Sequence, residues 1–245
     1  MPSNFSIVIP ARYESTRLPG KPLIDLCGKP MIVRTFQQCA KVVSPGRIFV
    51  ATDDERVQKI CEQHDIQVLM TSNSCLTGTD RVAEAAEKIP GETVINVQGD
   101  EPVFNPVDLH ALIEALDQYP GEIINGYCAI SSEEQFRSPS TPKVVFGSDG
   151  QLMYMSRAAI PTDKKLGFTK AFRQVCAYAF PRAALKAFAS VSKKTPLEEI
   201  EDIEILRFLE LGLKVRMIPM SNQSVAVDHP ADAEYVQKII RERGL

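Results

Sequence analysis

The residues best suited to chemistry gather near the start of the chain. Pro10-Ala11-Arg12-Tyr13-Glu14-Ser15-Thr16-Arg17-Leu18-Pro19-Gly20-Lys21-Pro22 follows a short apolar run, Ser6 to Ile9, that reads as a strand. Residues 1–34 hold Arg12, Arg17, Lys21, Lys29 and Arg34 against Glu14 and Asp25, so this segment is +3 within a chain of net −3. Two guanidinium forks and an ammonium, on a loop that can turn its backbone N–H groups inward, suit a polyphosphate. The spacing is neither a Walker A loop nor a GxGxxG turn, which counts against P-loop ATPases and classical dinucleotide enzymes. A solvated basic loop is the plainer alternative. Its position at the carboxyl end of the first strand, where ligands bind in open α/β sheets, favours function.

Carboxylates recur at two later strand ends. Gln98-Gly99-Asp100-Glu101-Pro102 follows the apolar run Thr93 to Val97, and Asp228 follows Val225-Ala226-Val227 just before His229-Pro230. Magnesium favours a few carboxylates together with phosphate oxygens, which makes Asp100 and Asp228 candidate metal ligands. Each also has an ordinary reading, Asp100 as a turn residue and Asp228 as a helix N-cap. As a pair opposite a cationic loop they point to a metal-assisted phosphate site. His64, His110 and His229 are isolated and read as surface or capping residues, with no nucleophile beside them. Glu198-Glu199-Ile200-Glu201-Asp202-Ile203-Glu204 reads as a solvated helix face, although Glu198, Glu201 and Glu204 share an i, i+3 stripe. Phe168, Phe172 and Phe180 read as core or dimer contacts.

Positioning these groups requires a series of strands. After the first strand, a helix is predicted from Pro30 to Val43, a strand from Arg47 to Ala51, and a helix through His64 capped by Thr52 or Asp53. Gln67 to Met70 reads as a third strand, Thr77 to Lys88 as loop and helix, and Thr93 to Val97 as a buried fourth strand. Four strands joined by crossover segments imply a largely parallel sheet with helices on both faces. Further on, Lys143 to Tyr154 reads as a hairpin around Ser148-Asp149-Gly150 and Phe172 to Phe180 as a strand. A long acidic helix over Pro196 to Leu211, strands over Lys214 to Pro219 and Ser224 to Val227, and a helix from Pro230 to Arg243 complete the chain.

The 245 residues are 44% hydrophobic and 24% charged, enough apolar mass for a folded core and too much for a disordered chain. The net charge of −3 gives no bulk attraction to nucleic acid or to an anionic membrane. No apolar run has the length of a membrane span, and the start lacks a signal-peptide pattern, so a cytoplasmic protein is expected. Cys27, Cys39, Cys61, Cys75, Cys128 and Cys176 show no zinc-site spacing and read as reduced thiols. Without repeats or Gly/Ser linkers, residues 1–245 read as one domain, with an inserted arm and further elements in roughly 162–215.

The motifs together resemble the 3-deoxy-manno-octulosonate cytidylyltransferases (CMP-Kdo synthetases). The resemblance is carried by Ile9-Pro10-Ala11-Arg12-Tyr13, Ser15 to Leu23, Gly28 to Ile32, Val50 to Asp54, Thr77 to Arg81 and Val97 to Pro102. It continues through Tyr154, Ser156-Arg157, Ile160-Pro161, Pro196-Leu197-Glu198 and Val227-Asp228. It implies a Rossmann-like nucleotidyltransferase fold with an arm used for homodimerisation. The implied activity is Mg²⁺-dependent transfer of CMP from CTP to an acidic ulosonic sugar, releasing pyrophosphate, as in lipopolysaccharide or capsule synthesis. By resemblance, Arg12, Arg17 and Lys21 would be phosphate and transition-state ligands, and Asp100 and Asp228 the magnesium carboxylates. Ala11, Thr71, Arg81 and Gln98 would surround cytidine, and Arg157, Gln174, Tyr178, Glu198 and Glu204 would line the sugar.

The sugar half departs from the family pattern. Where the family reads His-x-Gly-x-Tyr-Gly-Tyr this chain has Gln174-Val175-Cys176-Ala177-Tyr178-Ala179-Phe180, and Ile205 stands where the family has Gln. Loss of polar groups from a hydroxyl-binding site changes which analogue is accepted. A different acidic sugar, amino-substituted or nine-carbon, therefore stays open beside Kdo. A catalytically silent nucleotide-binding regulator on the same fold is the alternative from another class.

Overall fold

The computed structural model describes residues 4–15 and 18–245. The first half follows the predicted alternation: β1 (Phe5–Pro10), α1 (Met31–Ala40), β2 (Ile48–Thr52), α2 (Glu55–Gln63), β3 (Gln67–Met70), α3 (Gly78–Ala86) and β4 (Thr93–Val97). β2 and β4 flank β1 in parallel, with Ile7 facing Ile48 and Ile95, and β3 pairs in parallel with β2. Successive residues of β1 face opposite sides, so Ile7 and Ile9 pack with Ile32, Phe36 and Leu112 while Val8 packs with Val82 and Ala85. The α2 cap is Asp54, whose Oδ1 accepts from the Arg56 N–H at 2.8 Å. Thr52 and Asp53, the expected caps, serve elsewhere: Thr52 Oγ1 accepts from the Asp54 N–H, and Asp53 pairs with Arg81.

The second half interleaves with the first. α4 (Pro106–Gln118), β5 (Ile123–Ala129) and α5 (Glu133–Arg137) carry no assignment from the sequence reading. The predicted hairpin is β6 (Lys143–Phe146) with β7 (Leu152–Ser156), and β8 (Phe172–Pro181) leads into α6 (Arg182–Ala189). α7 (Pro196–Glu201), α8 (Ile205–Glu210), β9 (Val215–Pro219) and α9 (Pro230–Arg243) follow. The main sheet runs β3-β2-β1-β4-β8-β5-β9, and the hairpin attaches through β6 to β8. Within that path only β8 runs against its neighbours, so the sheet is mixed and mostly parallel.

Two expected elements differ. The long acidic helix is broken into α7 and α8 by Asp202, which takes the left-handed conformation at φ 50°. The segment Ser224 to Val227 forms no strand. The Val227 N–H instead donates to the Asp100 carbonyl at 2.9 Å, and Ser224 Oγ accepts from the Asn105 N–H at 3.2 Å. No described helix is long and apolar enough to cross a membrane, and all six cysteines are free.

Candidate functional site

A cleft of about 720 Å³ opens at the carboxyl ends of β1 and β4. Gly99 lets those ends approach, because a Cβ there would lie 2.6 Å from the Pro10 carbonyl oxygen. Thr35 of α1 fastens the crossing by donating from Oγ1 to the Gly99 carbonyl at 3.1 Å. The short 3₁₀ turn Lys21–Leu23 begins after Gly20, which sits at φ 67° with the Tyr13 ring packed against it. This geometry aims Lys21 at the end of β4.

Lys21 Nζ lies 2.6 Å from Asp100 Oδ2 and 3.0 Å from Asp228 Oδ1. Burial works to lower the Lys21 pKa, but the two carboxylates outweigh it and hold the group above its ordinary value, so the ammonium is charged. Asp228 owes its place to the return segment that replaces the expected strand. Asp108 of α4 accepts from the Ser221 N–H and Oγ, each at 2.7 Å, and Asp232 of α9 accepts from the backbone N–H of Asp228 at 3.0 Å. His229, rather than Asp228, holds the N-cap position of α9. His64 closes α2 and His110 is exposed on α4, consistent with the expected capping and surface roles.

The next wall is built on Arg81, which is 3% exposed and lines the cleft. Its guanidinium donates to Thr71 Oγ1 and, at 2.8 Å, to Asp53 Oδ2. Thr71 is held in turn by the Thr52 carbonyl at 3.0 Å. Thr71 is therefore one step behind the cleft surface, and Asp53, to which the sequence reading gives a possible cap and a place in a family motif but no site role, fixes the arginine. Ala11 and Gln98, placed around cytidine by the resemblance, line the cleft. Arg17 lies outside the described residues.

The opposite side carries Arg12, Arg157, Lys194, Asp202 and Glu204. Arg157 is oriented by carbonyls of Glu201, Pro139 and Asp202, the last two at 2.9 Å. Glu204 accepts from the N–H groups of Gly78 at 3.1 Å and Thr79 at 2.7 Å, tying the start of α8 to the first turn of α3. Burial raises the Glu204 pKa, against the opposing pull of those donors. Lys194 and Asp202, paired at 2.6 Å, are cleft residues that the sequence reading did not single out. Their signal is faint, a lysine pair before a capping Thr-Pro and one acid in an acidic run.

Three expected sugar contacts lie away from the cleft surface. Glu198 is fully buried, and both its oxygens accept from Arg207, at 2.6 and 2.7 Å. The acidic stripe does not exist as a face: Glu198 meets Arg207, Glu201 meets Ser156 and the Arg157 N–H, and Glu204 meets α3. Gln174 Nε2 donates to Asn125 Oδ1 at 3.1 Å and to Tyr178 Oη at 3.2 Å, in a closed network beneath the sheet end. Ile205 is 1% exposed and packs in the core with Val82 and Phe208. Phe168 stacks on Phe136 and Phe180 on Phe208, while Phe172 meets Tyr127 edge-on, all three within the apolar packing.

The arrangement offers cations for phosphates, two converging carboxylates for a metal and an oriented arginine for an acid. A cytidylyltransferase family profile matches residues 6–215. The 3-deoxy-manno-octulosonate cytidylyltransferase of Escherichia coli is 34% identical over 236 residues, covering 96% of each chain. The 8-amino-3,8-dideoxy-manno-octulosonate cytidylyltransferase of Shewanella oneidensis is 35% identical over 235 residues, covering 94% of this chain and 95% of its own. A solved CMP:2-keto-3-deoxy-manno-octonic acid synthetase complexed with CTP superposes with a TM-score of 0.91 at 34% identity, covering 98% of this chain and 100% of its own. Sequence, fold and the strand-end placement of the charged groups thus agree, and the chain belongs to the 3-deoxy-manno-octulosonate cytidylyltransferase family of nucleotidyltransferases.

Proposed function

We propose that this enzyme transfers CMP from CTP to the anomeric hydroxyl of an acidic 3-deoxy-ulosonic sugar, Kdo or a close analogue, with release of pyrophosphate and with Mg²⁺ as cofactor. The observation that carries the reading is the meeting of Lys21, Asp100 and Asp228 in a cleft that also holds Arg12, Arg81 and Arg157. The metal is tested by the same contact. Two carboxylates from distant parts of the chain already converge on one cation, the Lys21 ammonium, and that donor set fits Mg²⁺ completed by phosphate oxygens. Asp100 and Asp228 would hold the ion, which would supply charge neutralisation at the phosphates and a lower pKa for a bound hydroxyl.

The remaining work falls to the chain. Arg81, immobilised by Asp53 and Thr71, presents its other donors to the nucleoside side of the cleft. Arg12 and Lys21 neutralise phosphate oxygens, and Arg17, which lies between them in sequence, is proposed to join them. Arg157 uses its planar fork to orient the sugar carboxylate, so that the anomeric oxygen attacks the α-phosphorus in line with the departing pyrophosphate. A fixed orientation of two substrates replaces a histidine base, and none of the three histidines lines the cleft.

The relatives include enzymes named for Kdo and for its 8-amino form at nearly the same identity, so both sugars belong in the test. Pyrophosphate release is measured with CTP, Mg²⁺ and a panel of Kdo, the 8-amino analogue and sialic acid. Turnover with at least one octulosonate supports the reading. CTP binding without release on any of them would revert to a silent nucleotide-binding protein. A cytoplasmic homodimer completes the proposal; the six free thiols suit a reducing compartment, and edge strand β7 exposes Met153 at 67%.

A further inference from the structure

Lys21 has a part to play before any phosphate arrives. Its ammonium bridges the two aspartates at 2.6 and 3.0 Å, with its own side chain 14% exposed and those of Asp100 and Asp228 29% and 38% exposed. The partners lie 79 and 207 residues away in sequence, on separate segments of the chain that meet at this ammonium. Two carboxylates within reach of one ammonium repel each other. A compact point charge on a flexible stem cancels that repulsion and can leave again without moving the backbone.

From this geometry we infer that Lys21 is a place-holder cation. It preassembles the Asp100–Asp228 pair in the metal-free enzyme and withdraws when a divalent cation takes the pair. The inference rests on the proposed metal role of these aspartates. A divalent ion held by the same two carboxylates repels the ammonium and weakens its hold on them. The displaced ammonium remains at the cleft wall, where a polyphosphate offers it new oxygen partners. Metal affinity is thus held down until nucleotide arrives, and by linkage nucleotide and metal strengthen each other's binding.

The test measures binding of Mn²⁺ to the nucleotide-free protein by the loss of the free-ion electron paramagnetic resonance signal. Lys21→Met keeps the stem and removes the charge, and it should bind Mn²⁺ tighter than wild type by on the order of tenfold. Asp100→Asn should abolish binding in both backgrounds. If Lys21→Met binds no tighter while Asp100→Asn still abolishes binding, the place-holder role is wrong and the metal site stands. If Asp100→Asn leaves Mn²⁺ binding unchanged, the metal assignment fails and this inference with it. A second measurement needs no variant. Acylation of wild-type lysines by an N-hydroxysuccinimide ester, read by mass spectrometry, should show Lys21 protected without metal and several-fold more reactive with saturating Mg²⁺. Unchanged Lys21 labelling, with other lysines as internal controls, would overturn the exchange even if Lys21→Met does not fold.

Discussion

At the scale of single residues, charge separates chemistry from structure. Asp100 is partly exposed, and after Asp100→Asn the Lys21 ammonium keeps Asp228, so the stability cost is about 0–1 kcal/mol. Turnover of Asp100→Asn should nevertheless fall by orders of magnitude with an almost unchanged Tm; near-normal kcat would remove Asp100 from the mechanism. Glu198 predicts the reverse. It is sealed with Arg207, so Glu198→Ala leaves a buried guanidinium short of its partner and should cost about 3–5 kcal/mol, read in urea unfolding. A stable Glu198→Ala enzyme with a raised KM for the sugar would restore it to the substrate site. The same logic revises Gln174 and Ile205. Ile205→Gln buries an amide among Val82 and Phe208, a penalty of about 1–3 kcal/mol, so Gln174→His with Ile205→Gln should lower Tm before it alters the preference between sugars. Residue types and strand-end positions singled out Lys21 and Asp100 in the sequence, whereas Arg157 entered only through the family resemblance. Whether a carboxylate such as Glu198 meets a substrate or an arginine nine positions away was not legible, because both readings need the same acid.

Elements decide which of these groups meet. β1 to β4 were readable because each strand is a short apolar run and each crossover is local. The insertion of β8 between β4 and β5 was not, since nothing in Phe172–Pro181 encodes which distant strands it will join. The break between α7 and α8 escaped for a related reason: Asp202 leaves helical geometry where Lys194 and the ties to α3 hold it, and those are tertiary contacts. At the β4 exit, Gly99→Ala must displace the Pro10 carbonyl; a cost of about 1–3 kcal/mol and a fall in kcat without a matching change in fold, checked by calorimetry and steady-state kinetics, are expected. At the joint of β7 with α7, burial raises the Glu201 pKa, but Ser156, the Arg157 N–H and Tyr154 more than offset it, and the group ends below its ordinary value of 4.5. A depressed carboxylate stabilises the fold above pH 4.5 and loses that contribution as the pH falls through its folded pKa. The Tm gap between wild type and Glu201→Gln should therefore be present at pH 7 and shrink below about pH 4.5. A gap that stays constant or widens in acid would deny the carboxylate this role.

For the whole molecule, a net charge of −3 conceals a local arrangement: a basic first loop facing acids from β4 and from the segment before α9. The sheet brings these groups together from opposite ends of the chain, while α8, fastened to α3 through Glu204 and through the Arg207–Asp80 pair at 2.9 Å, ties the Asp202–Glu204 wall to the start of α3. Under the proposed function, binding of two anionic substrates in one cleft would be a matter of placing cations and one metal, with no covalent intermediate required. The most direct test is single-turnover conversion of α-³²P-labelled CTP with Mg²⁺ and Kdo or its 8-amino analogue, following label and pyrophosphate together. The account predicts that label moves to a CMP–sugar with one pyrophosphate released per transfer, and that Asp100→Asn slows both alike. Pyrophosphate release without labelled sugar, or no release with any octulosonate, would contradict it.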